Sequence, residues 1–388
     1  MRYDVAVVGL GAMGSATLAE CVRRGASAIG LDQFERGHQF GSSSGKTRLI
    51  RKAYFEDPAY VPLLLRAYEM WRDLEWRSGQ ELRRTTGLLM VGGETSEVIR
   101  GAQFAAQEHQ LPIEVLDVRE LRARYPVIRV LDGEVGVFES DAGVLNPECG
   151  VESQLQLAEK AGAEMRFGVA VKSWHAHENG FVVQCADQTA IQARRLVLSL
   201  GAWFKEVLER LGLTIRVQRN IQAWFRPRTN KLAAGQFPPF LIDRPEFPAS
   251  LYGFPDFGDG FKSAFHAHGE LTDAAHFDRE IDFRRDIEPI SRALEQWMPQ
   301  AVGQYLSAKA CPYTLTPDAH FIVDHHPEHA GIVLCGGFSG HGFKFAPVIG
   351  EICADLAFEG QSRHDIALFS IKRFTLPDQS EAAGGSRA

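Results

Sequence analysis

The first 32 residues contain the pattern that most restricts how this chain can fold. A short run rich in β-branched residues, 3–8, leads directly into the sequence GLGAMG at 9–14, which has the form G-x-G-x-x-G. Apolar residues then recur at helical spacing, and a second apolar run at 27–31 ends at Asp32. A strand, a glycine turn, a helix, a second strand and an acid in this order predict the βαβ unit of a dinucleotide-binding domain.

Each part of this pattern has a mechanical reason. Gly9 permits the tight turn, Gly11 lets the backbone approach a pyrophosphate, and Gly14 lets the helix pack closely on the strand. The N–H groups at the helix start would hold the diphosphate, and the Asp32 carboxylate would accept hydrogen bonds from the adenosine ribose. FAD and NAD both fit the pattern, and a glycine-rich turn in an ordinary α/β core is the alternative without a nucleotide. The residues predicted to contact the dinucleotide are Gly9, Gly11, Ala12, Met13, Gly14 and Asp32.

The composition narrows the classes of protein further. A length of 388 residues predicts two domains, tandem or interleaved. The 42 basic and 49 acidic side chains give a net charge of −7, which excludes a generally basic nucleic-acid-binding protein. No apolar run reaches the roughly 18 residues of a membrane span, and glycines interrupt the first apolar run, so we expect neither a membrane protein nor an exported one. Six scattered cysteines without a C-x-x-C pair favour the reducing cytoplasm.

The remaining elements are predicted from periodicity and turn residues. Residues 36–46 are expected to form an exposed loop, and Asp57-Pro58 marks the start of a long amphipathic helix. Proline- and glycine-separated β segments between 216 and 268 predict an antiparallel sheet inserted within the nucleotide fold. The small polar residues of 379–388 predict a disordered tail. Strands are further expected at 86–91 and 196–200, and helices at 97–110, 147–161 and 285–297.

The tract DHHPEH at 324–329 contains the residue types of a metal site. Its histidines lack the His-x-x-x-His spacing of one helix face, and a proline interrupts the tract. We therefore expect a surface turn in this position and no metal.

Four later motifs resemble those of a known family. They are GSSSGKTRLIR at 41–51, YGFP at 252–255, CPYTLTPDAHFIVD at 311–324 and GGFSGHGFK at 336–344. Together with the dinucleotide unit, and in the same order along the chain from about residue 3 to residue 372, they resemble the monomeric sarcosine oxidase family, which includes N-methyltryptophan oxidase and pipecolate oxidase. Members of this family are flavin amine oxidases, so the resemblance implies FAD rather than NAD.

The resemblance also implies the fold class and its division into domains. An α/β fold is expected, in which a Rossmann-like FAD-binding domain of the glutathione-reductase and D-amino-acid-oxidase type is interleaved with a mixed β-sheet substrate domain. The family resemblance further implies a monomer. The FAD-binding domain would take residues 1–86, 148–215 and 311–378, and the substrate domain 87–147 and 216–310.

Flavin contacts are implied by the motif positions. Cys311 matches the cysteine that the family joins by a thioether to the 8α-methyl carbon of FAD, in a C-x-Y-x-x-T-P-[D/E] setting. A thiolate that attacks the oxidised flavin needs a cationic or N–H-rich neighbourhood; a buried structural cysteine is the alternative. Taken alone, the strand end before Gly201 is typical of core and turn. The other residues implied to contact the cofactor are Ser42, Ser43, Thr47, Arg48, Val171, Gly201, Trp203, Gly340, His341, Gly342 and Lys344.

Substrate and oxygen contacts are implied in the same way. Arg51 and Lys344 match the residues that hold the substrate carboxylate, and a fork of N–H donors beside a point charge suits that ligand. Lys262 matches the oxygen-activating lysine and His266 the active-site histidine; as alternating strand positions they would share one face and one cavity. A core histidine and solvated basic side chains are the alternatives. The resemblance thus implies catalytic residues Lys262, His266, Arg48 and Tyr252, and substrate-binding residues Arg51, Lys344, Tyr54 and Tyr313.

These positions predict an FAD-dependent oxidase of a secondary amino acid, N-methylated or cyclic, that oxidises the C–N bond to an imine while O2 becomes H2O2. Three other functions remain open: a non-covalent FAD dehydrogenase that passes electrons to a membrane acceptor, a nicotinamide-dependent dehydrogenase, and a flavin-binding module without catalysis. Ser43 and Ser44 replace histidines of the best-known members, and Asn220 stands where a glutamine is common. Sarcosine, N-methyl aromatic amino acids, pipecolate and fructosyl amino acids therefore all remain open as substrates.

Overall fold

The computed structural model describes residues 2–374, so the predicted disordered tail at 379–388 lies outside the described residues. Short 3-10 turns lead into three of its helices, at 58–60, 201–203 and 343–345. The α-helices of the described chain are α1 Ala12–Arg23, α2 Val61–Ser78, α3 Glu97–Glu108, α4 Val118–Arg124, α5 Pro147–Lys160, α6 Phe204–Arg210, α7 Glu288–Trp297 and α8 Ala346–Glu359.

The strands are distributed along the whole described chain and form three sheets. Their bounds are β1 Arg2–Val8, β2 Ala28–Leu31, β3 Arg48–Ile50, β4 Arg83–Thr85, β5 Leu88–Gly93, β6 Glu114–Leu116, β7 Glu134–Glu139, β8 Gly143–Leu145, β9 Glu164–Arg166, β10 Val171–His177, β11 Gly180–Cys185, β12 Ala190–Leu198, β13 Arg216–Phe225, β14 Phe240–Asp243, β15 Leu251–Phe254, β16 Phe261–Phe265, β17 Glu270–Thr272, β18 Tyr305–Leu315, β19 Ile322–His326 and β20 His329–Gly336.

The first sheet contains the predicted nucleotide unit. Its parallel part runs in the order β20-β12-β1-β2-β9, and the antiparallel strands β10, β11 and β19 extend it beyond β12 and β20. Apolar side chains of β1 are buried on both faces of the sheet, which is why this strand is a continuous apolar run in the sequence. Helices α1, α5 and α8 pack together over one face and bury one continuous apolar core.

The turn between β1 and α1 explains the glycines of the motif. Gly9 has φ +87°, in the left-handed region, and a Cβ at this position would lie 2.4 Å from the carbonyl oxygen of Ser199. A Cβ at Gly14 would lie 1.7 Å from the carbonyl oxygen of Gly9, so the helix packs closer to the strand than any side chain would allow. The N–H of Leu10 donates to the Asp32 carboxylate at 2.8 Å, which ties the end of β2 to this turn. The predicted βαβ unit is confirmed.

The second sheet has nine strands and is built mainly from residues between β12 and β19. Its main order is β17-β13-β16-β15-β14-β5-β7-β6, and β18 pairs with the other edge of β13. Every pairing is antiparallel except that of β14 with β5. The predicted antiparallel sheet is thus confirmed, and it also recruits strands from 88–139 and 305–315. A small third sheet, β3-β8-β4, carries Arg48 as the first residue of β3.

Several predicted elements begin at different residues from those expected, and the strand expected at 196–200 is the end of the longer β12. Asp57 caps a 3-10 turn, and α2 starts only at Val61. The helix expected at 285–297 begins as a wide π turn over 283–287, where the carboxylate of buried Asp286 pairs with Arg219 of β13 at 2.7 Å. The strand expected at 86–91 starts at Leu88, because the N–H groups of the two preceding residues donate to a loop carbonyl instead of a neighbouring strand.

The segments of the two large sheets alternate along the chain. Strands of the first sheet come from 2–31, 164–198 and 322–336, and those of the second from 88–139, 216–272 and 305–315. The expected domain boundary at residue 311 divides β18, which pairs with β13 over residues 305–315, and the domain division stays a prediction. Within residues 2–374, no helix has both the length and the apolar character that a bilayer crossing requires.

Candidate active site

A long cavity of about 660 Å³ extends from the β1–α1 turn of the first sheet to β18 of the second. Gly14 lies behind its wall, where it packs α1 on β1. Three other predicted cofactor contacts, Thr47, His341 and Lys344, line a second and smaller cavity. The remaining predicted cofactor contacts all line the long cavity: Gly9, Gly11, Ala12, Met13, Asp32, Ser42, Ser43, Arg48, Val171, Gly201, Trp203, Cys311, Gly340 and Gly342.

The shape and the donors of the long cavity fit FAD. At one end the first turn of α1 carries no acidic side chain, so its N–H groups are free of a charge that would repel a diphosphate. A Cβ at Gly11 would lie 3.3 Å from the Ser43 hydroxyl, so the glycine leaves a cradle between them. Asp32 accepts the N–H groups of Leu10 and Phe34 at 2.8 and 2.9 Å, which fixes its carboxylate beside the cavity, as a ribose partner requires.

The smaller cavity, of about 70 Å³, adjoins the far end of the long one. Arg48, Tyr313, Gly340 and Phe343 line both cavities. Gly340 has φ +83°, and a Cβ at this position would lie 2.1 Å from the ring of Tyr313, so the backbone and the ring can approach only because this residue is a glycine. A ring held at the Cys311 end of the long cavity would therefore face a ligand in the smaller one.

Lys262 lies on β16 and is only 2% exposed. Its Nζ donates to the carbonyl oxygens of Gly45 and Thr47 at 2.8 and 3.0 Å and to the Thr47 hydroxyl at 3.2 Å. Burial lowers the pKa of Lys262 well below its usual value, and the positive charge of Arg48 lowers it further. The ammonium is thus held in a dry position with every N–H directed to an acceptor.

His266 directly follows β16 and so is not the strand position that was expected, but it lines the same small cavity as Lys262. Burial lowers the pKa of His266 to about 4, with the positive charges of Arg51 and Lys344 acting in the same direction. The imidazole is therefore neutral at physiological pH. The rings of Tyr252 and Tyr313 lie 6.3 and 5.9 Å from it, and burial raises the pKa of both phenols, so this part of the wall carries no charge.

Arg51 lies in the wall with its guanidinium already paired. Its Nη2 donates to both oxygens of Glu56 at 2.7 Å, and its Nη1 donates to the carbonyl oxygen of Ala53 at 3.0 Å. Burial alone would raise the pKa of Glu56, but the Arg51 charge beside it holds that pKa at about 2. The side chain of Arg51 also stacks on the rings of Tyr54 and Phe55, at 4.2 and 4.3 Å from their centroids.

Lys344 is the second cation at this end of the cavity. Its Nζ donates to the carbonyl oxygen of His341 at 2.7 Å and to the Tyr54 hydroxyl at 3.4 Å. Burial and the nearby Arg51 lower the pKa of Lys344 to about 7, so its charge titrates near neutral pH. The indole N–H of Trp71 donates to the carbonyl oxygen of Lys344 at 2.8 Å and fixes the turn that precedes α8.

Tyr54 stands behind this wall instead of in it. Its hydroxyl lies 2.6 Å from Nδ1 of His341, whose Nε2 lies 3.0 Å from the carbonyl oxygen of Ala319. A carbonyl only accepts, so the proton of His341 is on Nε2, and Nδ1 accepts from Tyr54. Burial lowers the pKa of His341 to about 3, which keeps the ring neutral. Tyr54 and His341 thus hold Lys344 in place, because the Tyr54 hydroxyl and the His341 carbonyl oxygen both accept hydrogen bonds from its Nζ.

Cys311 lies on β18 at the end of the long cavity and is 2% exposed. The Nη2 of Arg48 lies 4.0 Å from its sulfur. That guanidinium is in turn held by the carbonyl oxygens of Ser42 and Thr47, at 2.8 and 2.9 Å. The hydroxyl of Ser42 donates to the carbonyl oxygen of Pro312 at 2.6 Å, so the loop that carries Arg48 is attached to the strand that carries the cysteine.

The histidine tract forms the hairpin between β19 and β20. Ligand atoms of His326, Glu328 and His329 lie within 4.8 Å of one another, with only His326 buried. The Nδ1 of His326 already accepts the N–H of Glu328 at 3.2 Å. The turn itself takes only residues 327 and 328, because 324–326 belong to β19 and 329 belongs to β20, so the surface turn expected over 324–329 is shorter than predicted; the expectation of no metal stays a prediction.

Sequence reasoning missed several residues of this site. Glu56 was not singled out, although a buried arginine needs an anionic partner and this acid follows Arg51 by five residues. Glu139 was also missed: from β7, its carboxylate accepts the N–H groups of Lys52 and Ala53 at 2.8 and 3.0 Å. No local pattern marks Glu139, because its partners are more than 80 residues away. The apolar part of the small cavity, likewise unpredicted, consists of Leu49, Phe55, Leu241, Phe254 and Phe343.

An extended nucleotide cavity that ends beside a small pocket lets a redox dinucleotide present its reactive ring to a bound substrate. The fold and the site therefore define an oxidoreductase that uses such a dinucleotide.

A family profile described as FAD dependent oxidoreductase matches residues 4–356. The chain is 38% identical over 377 residues to a monomeric sarcosine oxidase of Streptomyces avermitilis, covering 96% of this chain and 97% of that one. It is 34% identical over 375 residues to an N-methyl-L-tryptophan oxidase of Yersinia pestis, covering 96% and 100% of the two chains.

Solved structures with a similar fold include an enzyme described as an amino acid oxidase. NikD, described as an unusual amino acid oxidase essential for nikkomycin biosynthesis, superposes with a TM-score of 0.83 at 25% identity, over 95% of this chain and 97% of that one. The L-proline dehydrogenase of P. horikoshii shares the fold, with a TM-score of 0.82 at 19% identity over 95% of this chain and 96% of that one. The chain belongs to the monomeric sarcosine oxidase and N-methyltryptophan oxidase family of FAD-dependent amine oxidases.

Proposed function

We propose that this enzyme oxidises a small secondary amino acid, with sarcosine as the reference substrate, and uses O2 as the electron acceptor. The observation that carries the proposal is the lining of the small cavity at the Cys311 end of the long one, in which cationic side chains, Arg51 and Lys344 among them, occur together with neutral aromatic rings. A zwitterionic amino acid has a carboxylate that the cations can bind and an amine that the neutral rings can contact.

Lys344 and Arg51 would hold the carboxylate. Lys344 offers a point charge, and Arg51 a planar fork fixed in place by Glu56. Glu56 already neutralises the positive charge of Arg51. Of these two cations of the small cavity, Lys344 is therefore the one whose charge has no direct carboxylate partner. The carboxylate would in turn stabilise the charged form of Lys344.

The uncharged rings of the cavity lining would favour the neutral amine that oxidation requires. His266, Tyr252 and Tyr313 are all uncharged at neutral pH and buried, so no anion there stabilises an ammonium group. Bound FAD would supply the two-electron acceptor for the C–N bond and pass the electrons to O2, which becomes H2O2. Lys262 would place a positive charge where negative charge develops on oxygen. The remaining contribution of the protein is the orientation of the C–H bond.

The size of the cavity supports a small substrate. A volume of about 70 Å³ accommodates roughly five groups of water size at ~10–15 Å³ each, which suits sarcosine better than an N-methylated aromatic amino acid. Phe55, Leu241 and Phe254 line the cavity, and we expect that at least one of them would have to move for a large substrate side chain to enter. Pipecolate is intermediate in size, and a fructosyl amino acid exceeds the cavity.

We also infer a thioether between Cys311 and the 8α carbon of FAD, and a monomeric enzyme in the cytoplasm. The Arg48 cation 4.0 Å from the sulfur supports the bond, because it favours the thiolate. The cysteines of the described chain are free thiols, and free thiols are typical of proteins in a reducing compartment, which supports the cytoplasmic location. No role for nucleic acid is expected at a net charge of −7.

A peroxide-coupled assay tests the substrate class. We expect kcat/KM to fall in the order sarcosine, pipecolate, N-methyltryptophan, with fructosyl amino acids inactive. Phe254→Ala should raise the relative rate with N-methyltryptophan, whereas Phe104→Ala, at an exposed ring on α3, should leave the order unchanged. A wild-type preference for N-methyltryptophan contradicts the size argument. Flavin bleaching without peroxide would identify a dehydrogenase, and a protein that no amine bleaches would be a binding module.

A further inference from the structure

A half-buried lysine beside Cys311 has no part in the chemistry described so far. Lys309 precedes Cys311 by two residues on β18, so both side chains lie on the same face of the strand. Its Nζ donates to the Ser44 hydroxyl at 2.6 Å and to the amide oxygen of Gln39 at 2.7 Å. Both acceptors belong to the loop that leads to Arg48. Lys309 therefore joins the strand of the cysteine to the loop of the arginine.

The neighbouring strand makes this region dry. Asn220 lies directly across from Cys311 on β13, and Gln222 directly across from Lys309, and both are 2% exposed. The side-chain carbonyl oxygens of these two amides accept no hydrogen bond from the described residues. A Cβ at Gly45 would lie 2.3 Å from the Gln222 oxygen, so the loop packs directly on this face. Charges act more strongly in such a poorly solvated region than in water.

The charge around Cys311 is predominantly positive. The negative charge of Glu148 on α5 raises the pKa of both Lys262 and Lys309, against the neighbouring cations. Tyr252 and Tyr313 contribute neutral phenols. The cations that face Cys311 or Lys309 are Arg48 at the start of β3, Lys262 from β16, Lys309 itself and Arg279 from the segment after β17.

We propose that Lys309 promotes the attachment of FAD to Cys311 by stabilising the thiolate at the moment of attack. The inference rests on the thioether proposed above. In that step the S–H bond and one 8α C–H bond break, the sulfur–carbon bond forms, and two protons leave. The two electrons released enter the ring system, and O2 takes them up with two protons to give H2O2.

The titration of Lys309 is consistent with this role. Burial lowers the pKa of Lys309, and the positive charges of Arg48 and Arg279 lower it further. A negative charge on Cys311 acts in the opposite direction and raises that pKa. Stabilisation between two charges is mutual, so the ammonium favours the thiolate as much as the thiolate favours the ammonium.

The test follows covalent incorporation in the full-length chain. Flavin-free protein is mixed with FAD in air, and the bound fraction is read over time from the acid-precipitated pellet and the intact mass. Lys309→Met should slow incorporation on the order of tenfold at neutral pH and move the pH dependence of the rate upward. Lys309→Arg should restore both. Lys372→Met removes an exposed lysine far from the site and should behave as the wild type.

Two further measurements separate the role of the charge from that of the contacts. Gln39→Leu removes one acceptor but keeps the ammonium, and it should couple at nearly the wild-type rate. The affinity for FAD before coupling, measured by flavin fluorescence, should change little in Lys309→Met if the variant is folded. If Lys309→Met couples at the wild-type rate and pH, the inference is overturned. Equal slowing by Gln39→Leu without rescue by arginine also overturns it, because the contact and not the charge would then matter.

Failure of the proposed thioether gives a different result. Wild-type protein that releases all its FAD in acid would refute attachment at Cys311, and the role of Lys309 with it, while amine oxidation could still be measured. A covalent wild type with an unchanged Lys309→Met rate refutes the role of Lys309 alone.

Discussion

Three buried cations near the small cavity have different hydrogen-bond partners, and those partners determine what each can do. Lys262 directs its N–H groups to three neutral oxygens, and Arg51 is neutralised by Glu56. Lys344 has one carbonyl, one hydroxyl and no direct carboxylate contact among the described residues. A buried charge without a counterion costs free energy, so Lys262 and Lys344 are both positioned to gain stability from a new negative charge.

Replacement of Lys262 by methionine should impair the reaction with oxygen specifically. A cation about 4 Å from developing negative charge contributes roughly 4 kcal/mol at an effective dielectric of 20, before screening is deducted. We expect reoxidation to slow by about 100- to 1,000-fold. Stopped-flow mixing of substrate under anaerobic conditions should give nearly wild-type bleaching, and mixing with oxygen should give a slow return of colour. Equal losses in the two half-reactions would refute the assignment of Lys262 to oxygen.

Carboxylate binding should weaken as pH rises through neutrality. Lys344, with its pKa at about 7, is charged below this pH and becomes neutral above it. A bound carboxylate raises that pKa, so affinity is greatest below pH 7 and falls as the free enzyme loses the charge. Propionate, which has no amine, isolates this effect, and its dissociation constant can be read from the flavin spectrum between pH 5.5 and 9.

Lys344→Met is the matched variant for this titration. It should weaken propionate binding by about 10- to 100-fold, the effect of losing a hydrogen bond from a charged donor. Its affinity should also be nearly independent of pH in this range. His266 cannot produce the same profile, because its pKa of about 4 lies below the range. A pH dependence that persists in Lys344→Met would assign the titration to another group.

At the scale of single residues, the sequence indicated which side chains form the site but not which hydrogen-bond partners they have. The resemblance placed Arg51, Lys262 and Lys344 at positions that prove to line one cavity. It could not indicate that Glu56 pairs with Arg51, or that Tyr54 supports Lys344 from behind, because hydrogen-bond direction depends on backbone geometry. The neutral state of His266 also follows from burial, which one sequence does not reveal.

At the scale of elements, strand β7 fixes the segment that carries Arg51. Glu139 ends this strand and is 2% exposed. Its carboxylate holds the N–H groups of Lys52 and Ala53, and the carbonyl of Ala53 in turn accepts from Arg51. The guanidinium is thus positioned from a strand of the second sheet through two successive hydrogen bonds.

Glu139→Gln should loosen this segment. The amide keeps one oxygen acceptor but turns an NH2 group toward an N–H donor, so at least one of the two hydrogen bonds is lost at a cost of about 1–3 kcal/mol. We expect a lower melting temperature and a higher KM for sarcosine, with kcat less affected. Glu108→Gln, at an exposed position on α3, serves as the control. A lower melting temperature with unchanged KM would mean that β7 stabilises the fold without positioning Arg51.

Elements were predictable where the local pattern and the tertiary environment agree. The β1–α1–β2 unit could be located because the glycine spacing, the two apolar runs and Asp32 all fit the same local fold, and the clash that a side chain at Gly14 would make lies within the unit itself. The start of α7 could not be located: the helix was expected from residue 285, but residues 283–287 form a wide turn in which Asp286 pairs with Arg219 of β13. Likewise β18 runs without interruption through Cys311 as part of the second sheet, where motif order suggested a domain boundary.

At the scale of the whole molecule, the long cavity lies between the two large sheets. The first sheet contributes the β1–α1 turn and Asp32, and the second contributes Cys311 through β18. We propose that the FAD-binding and substrate domains meet along this cavity, with their boundary at the end of β18 and not within it. A dinucleotide bound there would contact both sheets, so its loss should destabilise their association.

Removal of the proposed tether should make thermal stability depend on free FAD. In Cys311→Ser the cofactor can dissociate on unfolding, and at a free concentration 100 times its dissociation constant it should stabilise the folded state by about 2.7 kcal/mol. This corresponds to a rise of several degrees in melting temperature. In the wild type a tethered flavin is already at saturation, so added FAD should have no effect. Differential scanning fluorimetry across a series of FAD concentrations would measure both responses.

Cys149→Ser provides the matched control, because this cysteine is partly exposed and lies outside both cavities. The melting temperature of Cys149→Ser should not change with added FAD, as in the wild type. A wild-type melting temperature that rises with FAD as steeply as that of Cys311→Ser would show an exchangeable cofactor and refute the tether. A Cys311→Ser protein that ignores FAD entirely would instead mean that the long cavity does not hold the dinucleotide, since mass action requires a response wherever only the folded state binds.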